Sequence, residues 1–145
     1  MLRKVEISTL IILIIFAFYC ALTIGSSWDE SYAMTIGKER LKYLFSFGSY
    51  KDYGFYRYEE FYPGFYNTLA IFVTKIFPNK HEIEIWHLTN TIFSISTVFG
   101  IYKITSNLFN KKVGKIVFLL CFLNPIFFGH MAMNSKDKIV ALSHV

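Results

Sequence analysis

Two cysteines, three prolines and ten acidic residues are all that 145 residues contain of those types. Scarce cysteine excludes a disulfide framework: Cys20 and Cys121 both lie inside apolar runs, form no CxxC pair and sit in no loop that a bridge would staple. They read as packing residues. No continuous basic stripe accompanies the net charge of +5, because lysines and arginines are scattered between apolar runs, and a nucleic-acid partner is therefore not expected. No A-x-A site follows the first apolar run, and Phe18 and Tyr19 before Cys20 are too bulky for lipoprotein processing. The basic Arg3-Lys4 start is thus expected to lead into a retained membrane span rather than a cleaved signal peptide.

What the chain has in abundance is oil. Hydrophobic residues make up 54% and aromatics 19%, with a mean hydropathy of +0.40, more than an ordinary soluble domain of this size carries. A spanning helix needs about 20 apolar residues. Three segments are long enough, at 7–25, 85–109 and 116–133, which predicts an all-α, polytopic membrane protein with an outer loop over 26–84. A shorter run, Phe65 to Phe77, is bounded by Pro63 and Pro78 and is expected to form an interfacial or re-entrant helix. Arg3, Lys4, Lys103, Lys111, Lys112 and Lys115 fall in short flanks that the positive-inside rule assigns to the cytoplasm, leaving the N-terminus inside and the 26–84 loop outside. Residues Ile139 to Leu142 read as the start of a fourth span, so residues 1–145 are expected to be the N-terminal part of a longer membrane domain.

The outer loop begins with Ser26-Ser27-Trp28-Asp29-Glu30-Ser31, followed by Ala33, Ile36, Leu41 and Leu44 at helical spacing with Lys38, Glu39 and Lys42 between them. A juxtamembrane helix is expected, with Trp28 and the tyrosines from Tyr43 to Tyr66 suited to the interface. Ser27-x-x-Glu30 is a capping box, and acids in a first turn offset the helix dipole. A carboxylate at the outer mouth of a span is equally where a general base would meet a substrate head group at the membrane surface. Asp137 follows the third expected span as Asp29 follows the first, so the topology predicts both on one face, where two acids could divide proton transfer and orientation. As a plain alternative, Asp137 is an interfacial residue between Lys136 and Lys138.

Asn124-Pro125 interrupts the third expected span, and His130 follows about a turn and a half later. Such a proline kinks a helix and frees a carbonyl, and a polar residue at that depth faces other helices. A bonded interior histidine is the default for His130, and a phosphate or metal contact the alternative. His81, Glu84 and His87 form a stripe at spacing three, but the pattern is not HExxH and no fourth ligand is evident, so no metal site is predicted.

The order of Trp28-Asp29-Glu30, Tyr62-Pro63-Gly64-Phe65-Tyr66, His87-Leu88-Thr89-Asn90, Asn124-Pro125-Ile126-Phe127-Phe128-Gly129-His130-Met131 and Asn134-Ser135-Lys136-Asp137 resembles the N-terminal part of the GT-C glycosyltransferases of family 39, the protein mannosyltransferase-like membrane enzymes. The resemblance covers nearly the whole chain. It implies a sugar donor linked to a polyprenyl phosphate, an acceptor on the outer face and Asp29 as the base that deprotonates it, with Glu30 assisting acceptor binding. Asp137 supports the site by the same resemblance, with Asn134 beside it. Lys136 and His130 suit the carrier's phosphate by charge and position. No cofactor is implied, and a divalent ion is left open, as are the sugar and the acceptor. Family members contribute phosphate-holding cations from later helices, so residues 1–145 alone are expected to be inactive. Two other classes remain: a non-catalytic multi-pass subunit whose acids are caps, and a carrier-lipid binding or transport protein that needs no base.

Overall fold

A computed structural model describes residues 2–50 and 64–145, and all regular structure among them is helical. Most of the tyrosine-rich stretch and the Tyr62-Pro63 dipeptide lie outside the described residues. The helices are α1 (Leu2–Thr23), α2 (Trp28–Phe45), α3 (Gly64–Thr74), α4 (Glu82–Leu108), α5 (Lys111–Leu123), α6 (Pro125–His130) and α7 (Ser135–Ser143), with a 3-10 turn at Asn79–His81 leading into α4.

Helix α1 is apolar on nearly every face. Its Lys4–Thr23 stretch has a mean hydropathy of 2.4 and is the one helix among the described residues long and apolar enough to cross a membrane. Only 11% of that stretch is buried against the protein, and Ile11, Ile12, Ile15, Phe16 and Tyr19 stay outward. Twenty residues at a 1.5 Å rise give about 30 Å, the thickness of a hydrocarbon core. Its fully buried residues are small, Ala17 and Ala21, which let it approach α4 closely, and Leu10, Leu13, Ile14 and Phe18 pack partly buried against the same core.

The other two expected spans come out differently. Residues 85–109 do form a long helix, α4, but its buried face carries His87, Thr89, Asn90, Thr91, Ser94 and Thr97, too polar for it to qualify as a span on length and hydropathy. The 116–133 segment is not one helix. Asn124 ends α5 and caps α6, its Oδ1 accepting the Ile126 and Phe127 amides at 3.0 Å each. Pro125 occupies the first position of α6, where its missing N–H costs nothing, and cannot continue α5. The expected juxtamembrane helix is α2, the short run over 65–77 is largely α3, and the Ile139 to Leu142 segment is the second half of α7.

Two apolar clusters sit on either end of α4. Ala17, Ile95, Val98, Phe118, Phe122 and Met131 join α1, α4, α5 and the turn after α6. Ala33, Met34, Tyr66, Ala70, Ile71 and Trp86 join α2, α3 and α4. The second requires close contact of α2 with α3 at Gly37, where an added Cβ would lie 2.5 Å from the Asn67 carbonyl oxygen. Every layer of the fold is thus referred to α4.

Candidate functional site

Helix α4 holds two distant turns through side chains at positions 87, 90 and 94, which a 3.6-residue period places along one stripe. At the first turn, His87 Nδ1 lies 3.1 Å from the Ala21 carbonyl, in the last turn of α1, where carbonyls lack helical partners. A carbonyl only accepts, so Nδ1 carries the hydrogen. The other ring nitrogen, Nε2, is 2.8 Å from Glu30 Oε1, a short contact but bent away from good hydrogen-bond geometry. Both side chains are almost wholly buried, at 1% and 2% exposure. Glu30 Oε2 accepts the Ser27 amide at 2.6 Å, its half of the capping box that starts α2. One carboxylate therefore starts α2 and fastens it to α4.

At the second turn, Asn90 Nδ2 donates to the Ala132 carbonyl at 2.7 Å, and the Ser94 hydroxyl shares its one hydrogen between the Asn90 and Met131 carbonyls, at 2.9 and 3.0 Å. Asn90 Oδ1 accepts from the Tyr66 hydroxyl, whose burial pushes its ionisation far above the ordinary range and keeps it a donor. The next residues are capped in turn: Asn134 Oδ1 accepts the Lys136 and Asp137 amides at 3.1 and 3.2 Å, and its Nδ2 donates to Asp137 Oδ2 at 2.7 Å.

Between the two turns lies a cavity of about 570 Å³. All six residues singled out in the sequence line it: Asp29, Glu30, His130, Asn134, Lys136 and Asp137. Their availability differs. Asp29 is exposed at the second position of α2 and makes no hydrogen bond or ion pair among the described residues. His130 is exposed at the end of α6. Glu30 uses both oxygens within the protein, and Asn134 with Asp137 form the cap of α7, so these three hold structure as well as lining the space. Asp29 and Asp137, separated by more than a hundred residues in sequence, open onto one volume.

The polar stripe on α4 is not evident from motif spacing alone. His87 was grouped with His81 and Glu84, yet it turns inward, while His81 and Glu84 face each other at the surface at 3.8 Å. Among the described residues no three His, Cys, Asp or Glu side chains lie together as a metal would require. A polar residue every three to four positions within an otherwise oily segment was the available signal. Outside the cavity, Lys38 and Lys75 hold Glu82 at 2.6 and 3.2 Å at the start of α4. Burial pushes the Glu82 carboxyl up, and hydrogen bonds and charge from the two lysines outweigh it, leaving the carboxyl below its ordinary range. No protein-family model, no curated protein and no solved structure matches this chain.

Proposed function

We propose that the chain carries the acceptor-activating site of a polytopic membrane glycosyltransferase that takes a sugar from a polyprenyl-phosphate carrier. The observation that carries the reading is the single cavity lined by Asp29, Asp137, Lys136 and His130, close to the end of the apolar helix α1. In the proposed step the acceptor hydroxyl oxygen bonds to the anomeric carbon and gives its proton to the Asp29 carboxylate. The bond from that carbon to the carrier's phosphate oxygen breaks, and its electron pair leaves with the phosphate. Lys136 and His130 supply positive charge or hydrogen bonds toward the departing oxygen. Glu30 and His87 act as positioning residues that keep Asp29 at the mouth. The lipid tail stays in the bilayer beside α1, on the outer side by the charge distribution of the flanks.

The engagement of Glu30, Asn134 and Asp137 in helix starts favours a second reading, a non-catalytic multi-pass subunit or carrier-lipid binder. One substitution separates the two. In membranes carrying the protein, supplied with a labelled polyprenyl-phosphate sugar, Asp29→Asn should abolish transfer while membrane insertion and folding persist. Undiminished transfer would remove Asp29 from the base role, and no transfer by the unaltered protein across a panel of donors and acceptors would favour the second reading.

A further inference from the structure

The opposite end of α1 carries a second cavity, and its chemistry is different. A groove of about 460 Å³ lies between α1, α4 and α5, walled by Leu10, Leu13, Phe99, Tyr102, Phe118 and Leu119. Its polar groups gather at one end, where Lys115 Nζ meets Glu6 Oε2 at 2.5 Å, each side chain about half exposed. Lys115 lines the groove, and exposed lysines stand beside its lining residues in sequence: Lys4 next to Val5 on α1, Lys103 next to Tyr102 on α4, and Lys111 and Lys112 one turn before Lys115 on α5. Glu6 is their one acidic counterweight there, since residues 85 to 136 contain no Asp or Glu. An apolar slot alone would not say what fills it. A slot whose charged end holds Lys115 and Glu6, with four more exposed lysines beside its lining residues in sequence, selects a molecule with an apolar tail and an anionic head.

We propose that this groove binds one anionic phospholipid, its acyl chain along Leu10, Leu13, Phe118 and Leu119 and its phosphate drawn to the lysines at the mouth, where it competes with Glu6 for Lys115. The proposal rests on α1 lying in a bilayer, as in the reading above, and is independent of any catalysis at Asp29. Each lysine near an anionic headgroup contributes roughly 1 kcal/mol, about fivefold in affinity. A bound lipid would also fill the gap between α1 and α5, which both pack on α4.

The test is native mass spectrometry of the detergent-solubilised chain titrated with phosphatidylglycerol or phosphatidylcholine of identical acyl chains. A one-lipid adduct should form with phosphatidylglycerol at least fivefold more readily, and Lys115→Ala should cut that preference about fivefold. Leu13→Trp, which fills the groove without changing charge, should remove the adduct, and Leu119→Trp on the exposed rim serves if circular dichroism reports Leu13→Trp unfolded. Equal binding of the two lipids overturns the proposal, as does a phosphatidylglycerol adduct that survives both groove fillings, or a dimer of the chain whose formation excludes lipid. Release of the unaltered chain from membranes by alkaline carbonate would instead defeat the membrane placement of α1, so the two failures are told apart.

Discussion

Truncating Glu30 to alanine strands two groups at once. The Ser27 amide loses the acceptor it meets at 2.6 Å, worth about 1 kcal/mol net for an ordinary hydrogen bond. His87 Nε2, on a side chain only 1% exposed, is left without a partner, and an unsatisfied buried polar group costs about 1–3 kcal/mol. The volume vacated by a side chain that is itself 2% exposed adds a packing loss, bringing the sum to about 3–5 kcal/mol, the range for removing half of a buried pair. Glu30→Gln should behave otherwise. Its carbonyl can keep the Ser27 amide while its NH2 donates to Nε2 of a neutral His87 whose Nδ1–H still serves Ala21, so every group is satisfied and the cost should be near 1 kcal/mol. His87→Leu should cost about as much as Glu30→Ala, because it leaves Glu30 Oε1 buried and unpaired. Denaturant titration in mixed micelles, followed by helical circular dichroism, measures all three. Equal losses for Glu30→Ala and Glu30→Gln, or a loss under 1 kcal/mol for Glu30→Ala, would refute the account of a buried Glu30–His87 contact that fastens α2 to α4.

Other contacts make separate claims. Gly37→Ala should lower the unfolding midpoint by the equivalent of about 1–3 kcal/mol, since its methyl would meet backbone of α3 and force α2 away. Asn90→Leu orphans the Tyr66 hydroxyl and the Ala132 carbonyl and should cost about 2–4 kcal/mol. In hydrogen exchange it should deprotect amides of 133–137 while leaving those of α2 nearly unchanged, and uniform deprotection would contradict the separate pinning of the two turns. Glu82, its carboxyl held below the ordinary 4.5, adds stability that is present above that pH and is lost as pH falls through the depressed value. The pairs are partly exposed, so the loss should be under about 1 kcal/mol, should shrink in high salt and should vanish in Glu82→Gln. A pH profile identical in Glu82→Gln and the unaltered chain would count against the two lysine contacts.

Some of this architecture is legible in the sequence because it is local. The composition of α1 suffices for its length and apolar character, and Ser27-x-x-Glu30 marks the start of α2 without help from the rest of the fold. The break at Asn124-Pro125 was readable as more than a kink: asparagine before proline is a cap followed by the favoured first helical residue, and Asn110 and Asn134 start α5 and α7 in the same way. Asn134-x-x-Asp137 likewise has the spacing of a cap, and the two side chains form one at the start of α7.

What stayed illegible is how the six cavity residues come to share one volume. The bonds responsible run from His87, Asn90 and Ser94 to the carbonyls of Ala21, Ala132 and Met131, and a backbone carbonyl leaves no mark in a sequence because every residue has one. Only the donor side is visible, as polar residues at spacings of three and four in a segment otherwise oily enough to suggest lipid contact. That same stripe costs α4 its standing as a free span: unsatisfied, such groups are expensive in hydrocarbon, and His87 Nδ1, Asn90 and Ser94 find their partners in the turns leading to Asp29 and Asp137. The turns leading to Asp29 and Asp137 are thus both tied to α4, through His87 at one and through Asn90 and Ser94 at the other.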